Sequence, residues 1–331
     1  MNATSAFERF ATSYQVGDPA TADVMSRCAN DEVALALLPD DPSWDMPHRL
    51  LAGVRLLAAR GEVDDFESAG DPWAVFRSVL VEHGDWIGRF VRDQTIQTHV
   101  VQRCWVLLPL FLTIAKASQK PLDLIELGAS GGLNLLWDRY FYRYKAGTWG
   151  AADGSVELSG DERTPIPAEL LDVQVTINRR TGIDLHPVDV TSQDGLRLLL
   201  AFRRDDRYEA LLEHSAEILR QDPPELIEGN YIELLPEMLE KRDPSALTVV
   251  FQTHSTIYLP VEERRELRSI IETAGAEGPL GWISTPTPEE HGERRGDYPL
   301  ELGIWPGGER KIVARTNVRA TWLEWQEWQE V

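Results

Sequence analysis

The chain has 331 residues, of which 54 are acidic and 33 basic, so its formal net charge at pH 7 is -21. Such an excess of negative charge repels phosphate backbones and anionic lipids, which argues against nucleic acid or a membrane surface as partner. The length allows one large α/β domain with a helical region beside it, and 43 % hydrophobic residues exclude a disordered chain.

Cysteine and histidine usage excludes two further classes of protein. Cys28 and Cys104 are too few for a disulfide framework or a Cys-rich zinc site. The histidines form no His-x-x-x-His or Glu-x-x-His pair, so we predict no metal centre. The N-terminus lacks a basic region followed by an apolar core, and no apolar run approaches the roughly 20 residues that span a bilayer. We therefore expect a cytoplasmic protein.

Residues 1–118 predict an all-helical region. Apolar residues recur there at three- and four-residue spacings, interrupted by Asp, Pro and Gly. The helical stretches are AFERFATSYQ, ADVMSRCANDEVALALLP, MPHRLLAGVRLLAAR, PWAVFRSVLVEHGDWIGRFV and QTIQTHVVQRCWVLLPLFLTIAKA. We expect this region to cover the substrate of the domain that follows it.

Residues 119–331 predict a doubly wound α/β domain with a mostly parallel sheet, because short apolar runs alternate there with helical stretches. The strand candidates are LDLIEL, VTINRRTGIDL, ELIEG, ALTVVFQTH and LGWIST, with helices beginning near Gly132, Ser192, Tyr208, Tyr231 and Val261. Residues 144–176 are interpreted as an insertion. The segment YPLELGIWPGGERKIVARTNVRATWLEW predicts a C-terminal antiparallel hairpin that turns at Pro306, Gly307 and Gly308.

The turn after the first strand indicates a ligand site. Glu126 ends the strand, and Gly128-Ala129-Ser130-Gly131-Gly132 follows, where glycines permit unusual backbone angles and close approach of a ligand. A dinucleotide fingerprint would need glycine at positions 130 and 133, which are Ser130 and Leu133, and Glu126 would repel the phosphates. An acid before such a turn suits a ligand with a cationic group, such as the amino-acid end of S-adenosylmethionine.

The stretch ELGASGG resembles the first motif of class I S-adenosylmethionine-dependent methyltransferases, which is an acid, any residue and then Gly-x-Gly-x-Gly. Ser130 stands at the middle glycine. The resemblance implies a Rossmann-like methyltransferase fold and cofactor contacts from Glu126, Gly128, Ser130 and Gly132.

Two later strand ends extend this resemblance. In the second strand such enzymes place an acid against the ribose hydroxyls, and we favour Asp184 for this role, with Glu157 in SVELSG as the alternative. A carboxylate suits a vicinal diol because its two oxygens accept both protons. Asn230 stands where the third strand of these enzymes is followed by Asp, and its amide oxygen can accept a hydrogen bond from the adenine amino group.

Candidate catalytic residues follow the fourth strand, whose end should lie at the switch point of the sheet. We predict His254 as a general base and Tyr258 as a substrate-pocket residue, with packing as the alternative for both. In the predicted helix before the first strand, Gln97, His99 and Arg103 would face the cofactor, and Arg103 would pair with a carboxylate. The alternative for this row is the solvated face of a helix.

The sequence also resembles a bacterial family defined as domain of unknown function 2332, through RCWVLLPLF, LIELGASGGLNLLWDRYFYRY, GIDLHPVDVT, EGNYIELLP and VVFQTHSTIYLP. The resemblance covers most of residues 90–320 and implies a methyltransferase-like fold without a substrate. We predict an S-adenosylmethionine-dependent methyltransferase that acts on a small molecule. The alternatives are a sensor or scaffold that binds the nucleotide without catalysis and an NAD-dependent oxidoreductase, which Glu126 disfavours.

Overall fold

The structure of the protein is a computed structural model that describes residues 2–14, 18–152, 154–202, 206–287, 296–308 and 310–326. Two compact units emerge from the contacts within the chain. One comprises Met1–Thr98 with Ser192–Glu209, and the other comprises His99–Thr191 with Ala210–Val331. The division therefore differs from the boundary predicted at residue 118, since the last helix of the predicted N-terminal region packs within the second unit.

The α-helices are α1 (Ala3–Tyr14), α2 (Pro19–Cys28), α3 (Glu32–Ala36), α4 (Met46–Ala59), α5 (Pro72–Glu82), α6 (Gly84–Asp93), α7 (Arg103–Ser118), α8 (Gln193–Phe202), α9 (Asp206–Gln221), α10 (Tyr231–Glu240) and α11 (Val261–Glu277). The strands are β1 (Leu122–Leu127), β2 (Phe141–Tyr144), β3 (Gly147–Trp149), β4 (Glu157–Leu158), β5 (Asp161–Thr164), β6 (Ile177–Asp184), β7 (Glu225–Glu228), β8 (Leu247–Phe251), β9 (Leu280–Ser284), β10 (Tyr298–Trp305), β11 (Arg310–Thr316) and β12 (Trp322–Trp325).

Every regular element that the structure describes within residues 2–98 is helical, as the sequence predicted. Three of the Asp residues that interrupt the apolar pattern cap the helices that follow them. Asp18, Asp31 and Asp71 each accept hydrogen bonds from backbone N–H groups in the first turn of α2, α3 and α5. The apolar faces that follow these caps share one core, to which α4 contributes Leu50 and Val54.

The second unit is built on a nine-stranded sheet of order β5-β12-β11-β10-β9-β8-β1-β6-β7. In this sheet the pairs β7-β6, β6-β1, β1-β8 and β8-β9 are parallel. The pairs β9-β10, β10-β11 and β11-β12 are antiparallel. The predicted α/β class with a large, mostly parallel sheet is confirmed, and so is the C-terminal hairpin, which β10 and β11 form. Strands β1, β8 and β9 are buried along their whole length, which explains why their sequences are continuous apolar runs.

The predicted insertion carries its own strands. Strands β3, β2 and β4 form a small separate sheet, and β5 joins the edge of the large sheet beside β12. Glu157 lies in this small sheet, where it is exposed and ion-paired with Arg143. The second strand of the parallel sheet is therefore β6, and Asp184 is its last residue.

The helix predicted to begin near Gly132 is present over Leu133–Arg139, but it is a 3-10 helix and not an α-helix. Two tyrosine side chains, one directly before β2 and one within it, bind carbonyl groups that an α-helix would use. The hydroxyl of Tyr140 donates to the carbonyl of Leu133, and the hydroxyl of Tyr142 donates to that of Trp137, each at 2.6 Å. In a longer α-helix the N–H of Phe141 would donate to the carbonyl of Trp137. Here it donates to the carbonyl of Val156, beside the pairing of β2 with β4.

The helix predicted before β1 begins only at Arg103, so the prediction is wrong for the segment that contains Gln97 and His99. Gln97, His99 and Arg103 are all buried, which also rules out the interpretation of this row as a solvated helix face. No helix among the described residues has the length and apolar composition needed to cross a membrane.

Candidate functional site

The order of the parallel strands reverses between β1 and β8. From β1 the chain proceeds to β6 and then to β7 on one side, and it returns to the other side of β1 for β8 and β9. In open α/β sheets such a reversal leaves a crevice at the carboxyl ends of the strands, where ligands bind. The segments that meet at this edge are the glycine turn after β1, Asp184 at the end of β6 and residues 253–255 after β8.

The glycine turn is shaped by close packing of backbone. Gly128 and Gly132 have φ angles of 74° and 73°, which side chains rarely adopt. A Cβ atom on Gly128 would lie 2.4 Å from the Cβ atom of Ser255, so glycine allows the turn after β1 to touch the turn after β8. Ser130, at the position of the motif's middle glycine, also has a positive φ, of 52°.

Asp184 joins the turns that follow β1 and β6. Its Oδ2 accepts a hydrogen bond of 2.8 Å from the backbone N–H of Ser130, and its Oδ1 accepts one of 2.9 Å from the N–H of His186. Each carboxylate oxygen has a second lone pair, so these bonds leave capacity for donors on a ligand. The side chain predicted to bind ribose thus also fixes the shape of the turn.

Asn230 lies at the neighbouring strand end. The N–H of Gly229 donates to the carbonyl of Asp184 at 2.9 Å, which brings the end of β7 beside the end of β6. Asn230 is the N-cap of α10, where its Oδ1 accepts a hydrogen bond of 2.9 Å from the N–H of Ile232. The carboxyl ends of β6 and β7 therefore present a carboxylate and an amide side by side.

Glu126 lies beneath the glycine turn and is only 1 % exposed. Its Oε1 accepts a hydrogen bond of 2.9 Å from Nδ2 of Asn134, whereas Oε2 is buried and has no hydrogen-bond partner among the described residues. Burial is the main reason that the pKa of Glu126 is raised to about 8; the hydrogen bond from Asn134 and the charge of Arg103 oppose the rise, and the charge of Asp184 adds to it. The carboxyl group is therefore mostly protonated at neutral pH.

Arg103, the first residue of α7, is the charge at the centre of this buried polar region. The guanidinium donates from Nη1 to the carbonyl of Thr253 and from Nε to the carbonyl of Val318, both at 3.3 Å. The turn after β8 is thus held by Arg103, which was predicted to pair with a carboxylate. Arg103 also influences the ionisation of Glu126, His99 and His254.

Both histidines near Arg103 are neutral at physiological pH. Burial, aided by the charge of Arg103, lowers the pKa of His99 to about 3 and that of His254 well below its ordinary value. His254 has a φ of 62°, its backbone N–H donates to Oγ1 of Thr285 at 2.6 Å, and its ring packs edge-on against Tyr298. Non-glycine residues in this conformation cluster at functional sites.

The predicted catalytic pair differs in accessibility, because His254 is 5 % exposed and Tyr258 is 44 % exposed. Gln97 belongs to the first unit, and the structure gives it no described role at this site. Sequence reasoning missed Asn134, which holds Glu126, and Gln252, whose Oε1 accepts from the N–H of Ser255. An amide within the apolar run LNLLW was the available signal for Asn134.

A family comparison identifies the chain. Residues 4–325 match the family described as "Uncharacterized protein conserved in bacteria (DUF2332)". The chain belongs to DUF2332. This confirms the resemblance seen in the sequence blocks and extends it through the N-terminal helices. None of the curated proteins is similar enough to the chain to match it. Membership of DUF2332 brings neither a cofactor nor a substrate, so the methyltransferase resemblance stays a prediction.

Proposed function

We propose that the second unit binds S-adenosylmethionine at the carboxyl ends of β1, β6 and β7 and methylates a small molecule. One observation carries the proposal. Three adjacent parallel strands present, side by side, the glycine turn over Glu126, the carboxylate of Asp184 and the amide of Asn230. This is the order that the sequence resemblance implies for the amino-acid end, the ribose and the adenine of the cofactor.

The polar groups present are chemically suited to such a ligand. Glu126 Oε2 is a buried acceptor with no partner among the described residues, and buried polar atoms are normally paired. An ammonium group is a strong donor for a carboxylate in these surroundings. The oxygens of Asp184 and Asn230 retain lone pairs for hydroxyl and amino donors. When bound, the cofactor supplies a methyl group on a sulfonium.

The residues of the turn after β8 would act on the acceptor. Methyl transfer from a sulfonium depends chiefly on alignment of the nucleophile, so few side chains need to take part chemically. His254 is neutral, and a neutral imidazole can accept the proton that an acceptor loses. Tyr258, at the exposed end of the same turn, would contact the part of the acceptor that faces solvent.

Thermal melting with S-adenosylmethionine, S-adenosylhomocysteine and NAD in parallel tests the proposal. A ligand present at about 100 times its dissociation constant stabilises the protein by about 2.7 kcal/mol, which is visible as a shift in Tm. We expect a shift with both sulfur nucleosides. If neither sulfur nucleoside shifts the Tm, the proposal is refuted, and a shift with NAD alone would support the oxidoreductase alternative.

A binding protein without catalysis is the second candidate, and the burial of His254 favours it. The imidazole packs against Tyr298 and is 5 % exposed, so an acceptor has little direct access to it. Incubation of the protein with methyl-labelled S-adenosylmethionine and metabolite extracts separates the two candidates. Binding without label transfer to any acceptor would favour the sensor.

A further inference from the structure

A pocket in the second unit lies at the amino ends of β1, β8 and β9, at the edge of the sheet opposite to the candidate cofactor site. We call it the amino-edge pocket. Its volume is about 510 Å³, a size that suits a small molecule. Lys120, Ala246 and Pro279 shortly precede the three strands and line the pocket. A ligand here would be distinct from a cofactor and a methyl acceptor at the carboxyl ends.

Side chains of both charges line the amino-edge pocket without pairing with one another. The cations are Lys120 and Arg242, and the anions are Glu240, Asp243 and Glu277. None of these five forms an ion pair with a residue that the structure describes. Oδ1 of Asp243 is engaged in its own turn, where it accepts from the N–H of Ser245 at 2.8 Å and from its hydroxyl at 2.7 Å. Opposite charges that share one pocket and stay apart leave space for a ligand that carries both.

Each of the two cations is held by a backbone carbonyl and keeps donors for a ligand. Nζ of Lys120 donates to the carbonyl of Pro244 at 2.9 Å, and Nη1 of Arg242 donates to the carbonyl of Ala274 at 3.0 Å. The other N–H groups of both side chains make no hydrogen bond to a described residue. A guanidinium presents its donors in a fork that matches the two oxygens of a carboxylate. Arg242, which is half-buried, is therefore suited to a carboxylate in the pocket.

Two of the anions lie where helix electrostatics disfavours them. Glu240 and Glu277 are the last residues of α10 and α11. The carbonyl end of a helix carries partial negative charge, so a carboxylate there lowers stability whereas a cation is favoured. Proteins depart from such rules chiefly at functional sites. An ammonium group in the amino-edge pocket would be attracted by both carboxylates and by the carbonyl ends of both helices.

Apolar side chains line the rest of the pocket. Leu239 and Ala246 are buried there. A second cavity of about 340 Å³, between α10 and α11, shares Leu239, Glu240 and Glu277 with the amino-edge pocket and also contacts Ile270. The two neighbouring cavities thus offer a ligand apolar surface beside the charged groups.

We infer that the amino-edge pocket binds an α-amino acid with an apolar side chain. Arg242 and Lys120 bind the carboxylate, Glu240 and Glu277 bind the ammonium group, and Leu239 contacts the side chain. A ligand of a single charge would be attracted by one set of these groups and repelled by the other. The inference does not rest on the proposed function, because the pocket and the candidate cofactor site lie at opposite edges of the sheet.

Calorimetric titration of the full chain with L-leucine and with L-phenylalanine tests the inference. We expect at least one of these amino acids to bind, and glycine, which lacks the apolar side chain, to bind more weakly. The amide of that amino acid lacks the carboxylate, and its N-acetyl derivative lacks the ammonium group. Each should bind about tenfold or more weakly than the amino acid, the loss expected for a charge-assisted hydrogen bond.

Variants assign each charged group of the ligand to its partner. R242Q should weaken binding of the amino acid about tenfold or more and leave the weak binding of the amide unchanged. E277Q should also weaken binding of the amino acid and leave that of the N-acetyl derivative unchanged. The matched controls are K241Q and E237Q, because Lys241 and Glu237 pair with each other and line neither cavity. Both controls should bind like the wild type.

The inference is overturned if neither amino acid binds, or if the amide and the N-acetyl derivative bind as tightly as the amino acid. It is also overturned if R242Q and K120Q both bind as the wild type does. K120Q repeats the test of the cations without touching the contact between Arg242 and α11, and thermal melting identifies any variant that is unfolded. Melting with S-adenosylmethionine in parallel keeps the two proposals distinct, since binding of the amino acid without a cofactor shift refutes only the proposed function.

Discussion

Asn134 donates a hydrogen bond of 2.9 Å from Nδ2 to Oε1 of Glu126, and so connects the 3-10 helix that follows the glycine turn to β1. Oδ1 of Asn134 in turn lies 3.4 Å from the thiol of Cys104 in α7. Glu126 therefore has one oxygen fixed by the fold and the other, Oε2, buried without a partner among the described residues. A buried carboxyl group with one such oxygen is costly when it is ionised.

The first prediction concerns the pH dependence of stability. The pKa of Glu126 rises from 4.5 to about 8 on folding, chiefly through burial. The protonated group contributes its full stabilisation at pH values below the pKa that Glu126 has in the unfolded chain. This stabilisation is lost as the pH rises toward about 8, at about 1.4 kcal/mol per pH unit. Glu126→Gln removes this loss. Urea unfolding at acidic, neutral and basic pH should show the variant gaining on the wild type as pH rises.

The matched control for this measurement is Glu157→Gln, an exposed glutamate in the same unit. It should leave the wild-type pH profile almost unchanged. Parallel pH profiles for the wild type and Glu126→Gln would mean that the carboxyl group is already ionised in the folded protein.

The second prediction concerns the contact between the turns after β1 and β8. Gly128→Ala places a Cβ atom 2.4 Å from the Cβ atom of Ser255 at a φ of 74°. Overpacking and backbone strain together should lower the free energy of unfolding by about 3 kcal/mol. Ser255→Gly in the same chain removes the clash and leaves the strain. The double-variant cycle should show a coupling energy of about 1 kcal/mol or more, and additive effects would contradict the contact.

The third prediction concerns Asp184, which bonds to two backbone N–H groups. Asp184→Ala should lower the free energy of unfolding by about 2 kcal/mol, because it leaves the N–H groups of Ser130 and His186 without this acceptor. It should also abolish any thermal shift with S-adenosylmethionine. Glu157→Ala should change neither quantity appreciably, since an exposed ion pair contributes little. A ligand shift that persists in Asp184→Ala and disappears in Glu157→Ala would exclude Asp184 as the ribose ligand.

The fourth prediction concerns His99, whose pKa burial lowers to about 3. The neutral ring contributes fully to the free energy of unfolding above pH 6.5. This contribution is lost as the pH falls toward about 3, because the histidine binds a proton in the unfolded chain before it does so in the folded protein. The ring signals of His99 in NMR spectra, assigned by comparison with His99→Gln, should stay at their neutral positions from pH 8 to about 5. Movement of these signals near pH 6.5 would show that the ring is accessible to water.

The sequence predicted the strand ends well because they depend on local pattern. Strands β1, β8 and β9 are apolar runs, and β6 and β7 end in short apolar stretches followed by polar or small residues, so the pattern pointed to Glu126, Asp184 and Asn230 at strand ends. The adjacency of β1 and β8 follows from the general topology of doubly wound sheets. These features require no knowledge of side chains distant in the chain.

Features that depend on distant contacts escaped prediction. The 3-10 helix after Gly132 is favoured by the hydroxyl groups of Tyr140, directly before β2, and Tyr142, within it, and the spacing within LNLLWDR contains no sign of them. The burial of His99 is equally hidden, since a polar residue in a mixed pattern usually indicates a solvated face. The pairing of β5 with β12 joins strands more than a hundred residues apart, and only the folded sheet reveals it.

The last prediction links the ionisation of Glu126 to cofactor binding. Because the pKa of the free carboxyl group is about 8, most of the protein carries a proton there at pH 7. An ammonium group beside Oε2 would favour the ionised form, so binding of S-adenosylmethionine should release up to about one proton at this pH. Calorimetry in buffers of different ionisation enthalpy measures that number. Glu126→Gln should release fewer protons and bind more weakly, whereas equal release by both proteins would place the amino-acid end of the ligand away from Glu126.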